Sequence, residues 1–130
     1  MTVELVRKVF DAFGAGDVAA LDDLYTEDYV LELPYAKPDP VRVEGRSAVQ
    51  AYLTGAFQVF RFQLAITDHW KLEGTDALVA EYTSEGTVLP TGARYANTYV
   101  GIWRFRDGRV SRTKEWYDPI VSARAVEGLS

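Results

Sequence analysis

From Phe60 onward the hydrophobic residues recur at every second position, and this change of period constrains the fold more than any other feature. Phe60, Phe62, Leu64 and Ile66 alternate with Arg61, Gln63, Ala65 and Thr67, the pattern of a strand with one buried face. After the turn "LEGTDA", Leu78, Ala80, Tyr82, Ser84, Gly86 and Val88 alternate with a more polar set containing Glu81, Thr83, Glu85 and Thr87. The turn "LPTGAR" leads to "YANTYVGIWRF", then "RDG", then "RVSRTKEWYDP". Long alternating runs joined by short turns predict antiparallel strands.

Before Phe60 the period is helical. Leu5, Val6, Val9, Phe10 and Phe13 share one face over residues 3–13, and Gly14 and Gly16 end that helix. Asp17 is placed to cap a second, short helix carrying Val18, Leu21, Leu24 and Tyr25. "DYVLELP" reads as a strand stopped by Pro34, and "YAKPDPVRVEG" as a loop with a brief extended piece. Val49, Tyr52, Leu53 and Phe57 define a third helix over residues 46–57. Three N-terminal helices followed by strands predict an α+β fold, a curved and mostly antiparallel sheet wrapped over helices. With 130 residues, no repeat and no linker-like stretch, the chain reads as one domain, 1–130.

The totals exclude several roles. A net charge of −5 without a Lys/Arg cluster argues against nucleic acid as a partner. The absence of cysteine excludes disulfides, thiolate metal sites and a cysteine nucleophile, and is compatible with a reducing cytoplasm. A single histidine, His69, with scattered acids makes no metal cluster, and its parity opposes the apolar set of its strand. The opening "MTVELVRKVFDAFGAGD" has acids at Glu4 and Asp11 and reads as neither signal peptide nor membrane span. "GAGD" fits a helix-ending turn better than a phosphate loop. Eight Tyr, six Phe and three Trp supply a core, with bulk left over to line a pocket.

The last hairpin carries the chemistry. "RDG" fits a three-residue loop with a left-handed Gly108, which pairs Phe105 with Arg109, Gly101 with Thr113, Tyr99 with Glu115 and Asn97 with Tyr117. One face then bears Asn97, Tyr99, Gly101, Trp103, Thr113, Glu115 and Tyr117; the other bears Thr98, Val100, Ile102, Val110, Lys114 and Trp116. A two-residue "DG" turn would instead set Glu115 opposite Val100. Apolar residues on both faces predict cover on both sides, by helices within and by a second copy of the chain without. Facing inward among Tyr99, Trp103 and Tyr117, Glu115 would have its charged form disfavoured and its pKa raised, as suits a general acid/base. Asn97, Tyr99, Trp103, Tyr117, Tyr82 and Ser84 are the expected substrate-binding set, with Tyr25, Tyr29 and Tyr35 near a pocket mouth. Against this stand ordinary cross-strand packing and a Glu115 paired with a nearby base or facing water.

"FGAGDVAALDDLYTEDYVLELP", the "EGR" before the third helix, and "RFRDGRV…KEWYDP" together resemble the nuclear transport factor 2-like superfamily, and within it the SnoaL-like proteins. The resemblance covers about the whole chain. It implies a cone of helices leaning on a curved sheet around a deep pocket, and a small apolar molecule, cyclic or polyketide-like, as the partner. The implied chemistry is isomerisation, cyclisation or dehydration without a cofactor, with a binding or accessory module and a purely structural dimer as alternatives. The functional positions of ketosteroid isomerases of this fold fall on Val9, Leu33 and Gly101, so that chemistry lacks its groups. The Asp-Arg-Asp set of the fold's epoxide hydrolases finds no match, and His69 alone does not supply the two histidines of scytalone dehydratases. The pocket-facing glutamate of the phenazine-biosynthesis A/B proteins does carry over, onto Glu115.

Overall fold

The N-terminal periodicity produces helix α1 (Thr2–Ala15), in a computed structural model that describes residues 2–129. Val6, Val9, Phe10 and Ala12 form its buried face. Gly16, at a left-handed φ of 66°, turns the chain so that Asp17 N donates to Ala12 O at 2.9 Å and closes the helix. Asp17 then accepts from Ala20 N at 3.2 Å, as a cap should. The capped segment is only a 3-10 turn over Val18–Asp22, not the expected second α-helix. The sheet captures the rest: Val110 N donates to Leu24 O at 2.8 Å, and Tyr25 opens strand β1 (Tyr25–Leu33).

Strand β2 (Val41–Glu44), helix α2 (Arg46–Ala56) and strands β3 (Phe60–Lys71), β4 (Leu78–Val88), β5 (Ala93–Arg106) and β6 (Arg109–Tyr117) come next. The chain then forms helix α3 (Pro119–Ala125), which the sequence reading did not anticipate. Three N-terminal helices are therefore corrected to two α-helices and a 3-10 turn, with the last helix C-terminal. The α+β architecture is otherwise as expected. The curved sheet runs β2-β1-β6-β5-β4-β3, antiparallel throughout except where β1 meets β6. α1 packs on β3 and α2 on β1, so the helices line the concave side. Aromatic contacts join the layers: Phe10 meets Tyr82 at 4.8 Å and Trp103 at 5.6 Å between ring centres, and Phe13 meets Phe57 at 5.2 Å.

The last hairpin uses the two-residue turn, not the preferred three-residue one, and its register matches neither reading. Asp107 and Gly108 both have positive φ, 54° and 74°, and Arg106 pairs with Arg109, which makes a two-residue loop. That loop alone would place Glu115 opposite Val100. However, Phe105 pairs with Val110 while Arg104 pairs with Arg112, so Ser111 is an extra residue bulged from β6. Beyond the bulge Gly101 faces Glu115 and Tyr99 faces Tyr117. The expected register, with Tyr99 opposite Glu115, is wrong by two residues. Because two is a whole period, Glu115 lies on the face expected for it. Val110, before the bulge, is the exception: expected outside, it is fully buried in the core. In β3 the ladder is interrupted between Ile66 and Asp68, and beyond it His69 and Trp70 are exposed. Among the described residues no helix is long and apolar enough to cross a membrane.

Candidate active site

The concave face of β1, β5 and β6, with α2 above it, encloses a cavity of about 140 Å³. Rings dominate its wall: Phe13, Tyr25, Tyr29, Phe57, Phe60 and Phe62 among them. Among the described residues Glu115 is its sole charged lining residue. A wider depression of about 430 Å³ lies between Glu81, Thr98 and Trp116, but its two acids, Glu81 and Asp118, are both exposed to water. The smaller, more enclosed cavity is the better chemical vessel, because charges and dipoles act most strongly where water is excluded.

Strand β6 aims Glu115 inward, and Gly101 on β5 leaves space directly across from it. Tyr82 Oη donates to Glu115 Oε1 at 2.5 Å. Among the described residues the carboxylate has no other hydrogen bond and no cationic partner. Some of its surface remains accessible because it borders the cavity, although protein surrounds it. Burial raises its pKa from 4.5 to about 7, and the hydrogen bond from Tyr82 pulls the other way by favouring the charged form. The group is thus near balance between acid and base at neutral pH. Burial also pushes the phenols of Tyr29, Tyr99 and Tyr117 upward, so they stay protonated.

A network of neutral donors and acceptors supports this wall. Tyr29 Oη donates to Thr113 Oγ1 at 2.7 Å, and Tyr99 Oη to Ser84 Oγ at 2.9 Å. Tyr95 Oη lies 3.3 Å from Tyr99 Oη and accepts from Asn97 Nδ2 at 2.9 Å. Asn97 also grips the backbone of Asp118, donating to its carbonyl at 3.1 Å and accepting from its amide at 3.3 Å. Asp118 in turn caps α3, accepting from Ile120 N at 2.9 Å, with Pro119 as the first helical residue. The cap brings Ser122 into the cavity wall.

Of the expected site residues, Glu115, Tyr99, Trp103 and Tyr117 line the cavity. Tyr82, Ser84 and Asn97 are buried behind the lining and bond to it. Of the three tyrosines expected at the mouth, Tyr25 and Tyr29 stack on each other at 3.7 Å within the wall. Tyr35 is 54 % exposed and lies outside the lining. Leu33 lines the cavity, Val9 is buried core, and Gly101 supplies no functional group. The sequence reading missed Tyr52, Tyr95 and Ser122 in the wall. Tyr52 reads as part of an ordinary core face, and only the Asp118-Pro119 helix start signals Ser122. Among the described residues no group of three or more His, Cys, Asp or Glu could hold a metal ion.

The family profile of the SnoaL-like domain matches residues 6–113. The uncharacterised protein YesE of Bacillus subtilis is 28 % identical over 127 residues, covering 96 % of this chain and 86 % of that protein. An uncharacterised PhzA/B-like protein of Pseudomonas aeruginosa is 25 % identical over 115 residues, covering 88 % of this chain and 82 % of that one. The crystal structure of a Bacillus subtilis protein provisionally named an isomerase superposes with a TM-score of 0.89 at 26 % identity, covering 97 % of this chain and 92 % of that structure.

Proposed function

The chain belongs to the SnoaL-like domain family, and on that premise we propose that it is an enzyme in which Glu115 relays a proton within a neutral, cyclic small molecule. One observation carries the reading: among the described residues the single carboxyl of an apolar cavity has no cation beside it, and burial pushes its pKa up to about 7. As carboxylate it takes a proton from a carbon next to a carbonyl or from a hydroxyl; as acid it returns that proton elsewhere on the same molecule. Isomerisation, cyclisation and dehydration all reduce to this exchange, and none calls for a cofactor. Tyr99, Trp103 and Tyr117 give the ring of the substrate its apolar contacts, and the protonated phenols offer donors to its oxygens.

The cavity also bears on the ligand. At about 140 Å³ it is close to the roughly 150 Å³ that holds one benzene ring and below the roughly 300 Å³ of common ligand pockets. One small ring fits; a polycyclic substrate needs the wall at Tyr52, Tyr117 and Ser122 to give way. Among the described residues no Lys or Arg lines the cavity, so an anionic ligand would be buried without a counter-charge. The test is hydrogen–deuterium exchange at the α-carbons of a panel of cyclic ketones in D₂O, read by NMR. The native protein accelerates exchange for at least one member, and Glu115→Gln slows it by ~10²-fold or more. Equal rates in the two proteins would remove the assignment.

A second reading is a binding module of the same shape. Its support is that, among the described residues, no second carboxyl, histidine, lysine or arginine lines the cavity beside Glu115. Ligand binding that survives Glu115→Gln, with no exchange or turnover in either protein, would favour it. In either case the apolar outer face, with Val100 38 % exposed and Trp116 and Ile102 beside it, suits pairing of two chains. A sedimentation mass of one chain at micromolar concentration would argue against that dimer. The lack of cysteine suits work in the cytoplasm.

A further inference from the structure

Tyr82 does not line the cavity, yet it makes the one hydrogen bond that Glu115 receives. Three rings hold it in place. It stacks on Tyr99 at 5.3 Å with planes 8° apart, and it meets Phe10 at 4.8 Å and Trp103 at 6.3 Å. At 1 % exposure its hydroxyl has no water to turn to. The indole N–H of Trp103 lies beside that hydroxyl and, among the described residues, has no other hydrogen-bond partner. Indole nitrogen donates only, so it offers the phenol no acceptor, and the phenol proton is left to Glu115.

The room for this arrangement comes from Gly101. It lies directly opposite Glu115 in the β5–β6 ladder and opposite Ala80 in the β4–β5 ladder. A Cβ on Gly101 would collide with Tyr82 Oη and sit 2.7 Å from Trp103 Nε1. Any side chain there would displace the hydroxyl from the carboxylate. Gly101 has an ordinary strand conformation, so space and not backbone freedom is what it supplies.

We infer that Tyr82 is a positioning residue for Glu115, admitted by Gly101, which occupies Oε1 and leaves Oε2 as the oxygen that exchanges protons with the ligand. This rests on the reading of Glu115 as the proton-transfer group. The phenol fixes the rotation of the carboxyl and favours its charged form. Without it the carboxyl would turn more freely and hold its proton to higher pH.

The experiment tracks the side-chain carboxyl of Glu115 by ¹³C NMR as pH is raised, in ligand-free protein labelled on glutamate, with Glu115→Gln to assign the signal. In the native chain the midpoint is near 7; Tyr82→Phe, which keeps the ring and its packing, moves it up by about one pH unit. Gly101→Ala moves it in the same direction, and adds little in the Tyr82→Phe background because the group it displaces is already gone. A Tyr82→Phe midpoint equal to the native one overturns the inference, whatever becomes of Gly101→Ala. A native midpoint at the ordinary carboxyl value would overturn the proposed function instead, and the Tyr82→Phe shift would still decide the positioning role.

Discussion

Two glutamates lie on opposite sides of the same sheet and are treated in opposite ways. Glu115 points inward, receives one phenol hydrogen bond and has its pKa raised to about 7 by burial. Glu32, on the neighbouring strand β1, points outward and is gripped by arginine. Arg112 Nη2 and Nε bond its Oε1, the latter at 3.0 Å, and Arg42 Nη1 lies 3.2 Å away. These guanidinium groups hold its pKa below the usual range. Arg112 stands only three residues before Glu115 on β6, so position in the chain does not decide the outcome. The side of the sheet does: one carboxyl is paired where water still reaches, while the other is left unpaired in an apolar enclosure. Such a contrast marks a candidate for chemistry better than either acid alone, because a structural carboxylate is normally given its counter-charge.

Glu115→Gln should break the contrast most strongly. Its expected effect is the loss of ~10²-fold or more in ketone exchange, with the fold retained by circular dichroism. The same substitution should stabilise the chain. The unfolded carboxyl ionises near 4.5 and the folded one near 7, so between those values the folded state binds the extra proton. Native stability therefore falls as pH rises through that window, by about 3 kcal/mol in all. Urea unfolding should find Glu115→Gln more stable than the native chain by about that amount above pH 7, and equal to it below pH ~4.

Glu32→Gln should show the reverse sign. The folded pKa is lowered, so the stability it confers is present above the ordinary carboxyl range and lost as pH falls through the depressed value. At pH 7 the variant should be less stable by about 1 kcal/mol, converging with the native chain in strong acid. The smallest effect is that of salt. In 1 M NaCl the Glu32→Gln difference should shrink to a few tenths of a kcal/mol, while the Glu115 NMR midpoint moves by less than about 0.2 units, since salt screens exposed pairs far better than enclosed groups. A salt-sensitive Glu115 would mean that the cavity is open to water.

The period change at Phe60 makes the sheet readable, since β3, β4 and β5 begin within a few residues of where alternation begins. The inward orientation of Glu115 is readable for a less secure reason. The turn reads as a three-residue loop where the chain uses two, and nothing in the sequence marks the bulge at Ser111; each error shifts the register by one residue, and together they make a whole period, so the face is right. Val110 and Arg112 carry no local mark of a bulge. It arises from contacts made far away in sequence: Leu24 O accepting from Val110 N, Arg112 on Glu32, and Thr113 on Tyr29. The second helix fails likewise, because pairing of Leu24 and Tyr25 with β6 outweighs a correct Asp17 cap. The Asp118-Pro119 start of α3 is legible as a capped helix start, although the short segment after it has no apolar face to extend the signal. Strand parity picks out Tyr82, but its place behind the wall depends on the missing Cβ of Gly101, which no pattern of alternation reveals.

The bulge has a consequence for chain length. Removing one residue from a strand ordinarily inverts every side chain after it. At the bulge of β6 a deletion of Ser111 would let Arg104 pair with Arg112 in an unbroken ladder and leave Thr113, Glu115 and Tyr117 facing the cavity. A deletion at Lys114 would turn that carboxylate out to the solvent side. By this register a chain one residue shorter just after the hairpin would still keep the acid inside, whereas one residue lost between Arg112 and Glu115 would turn it outward.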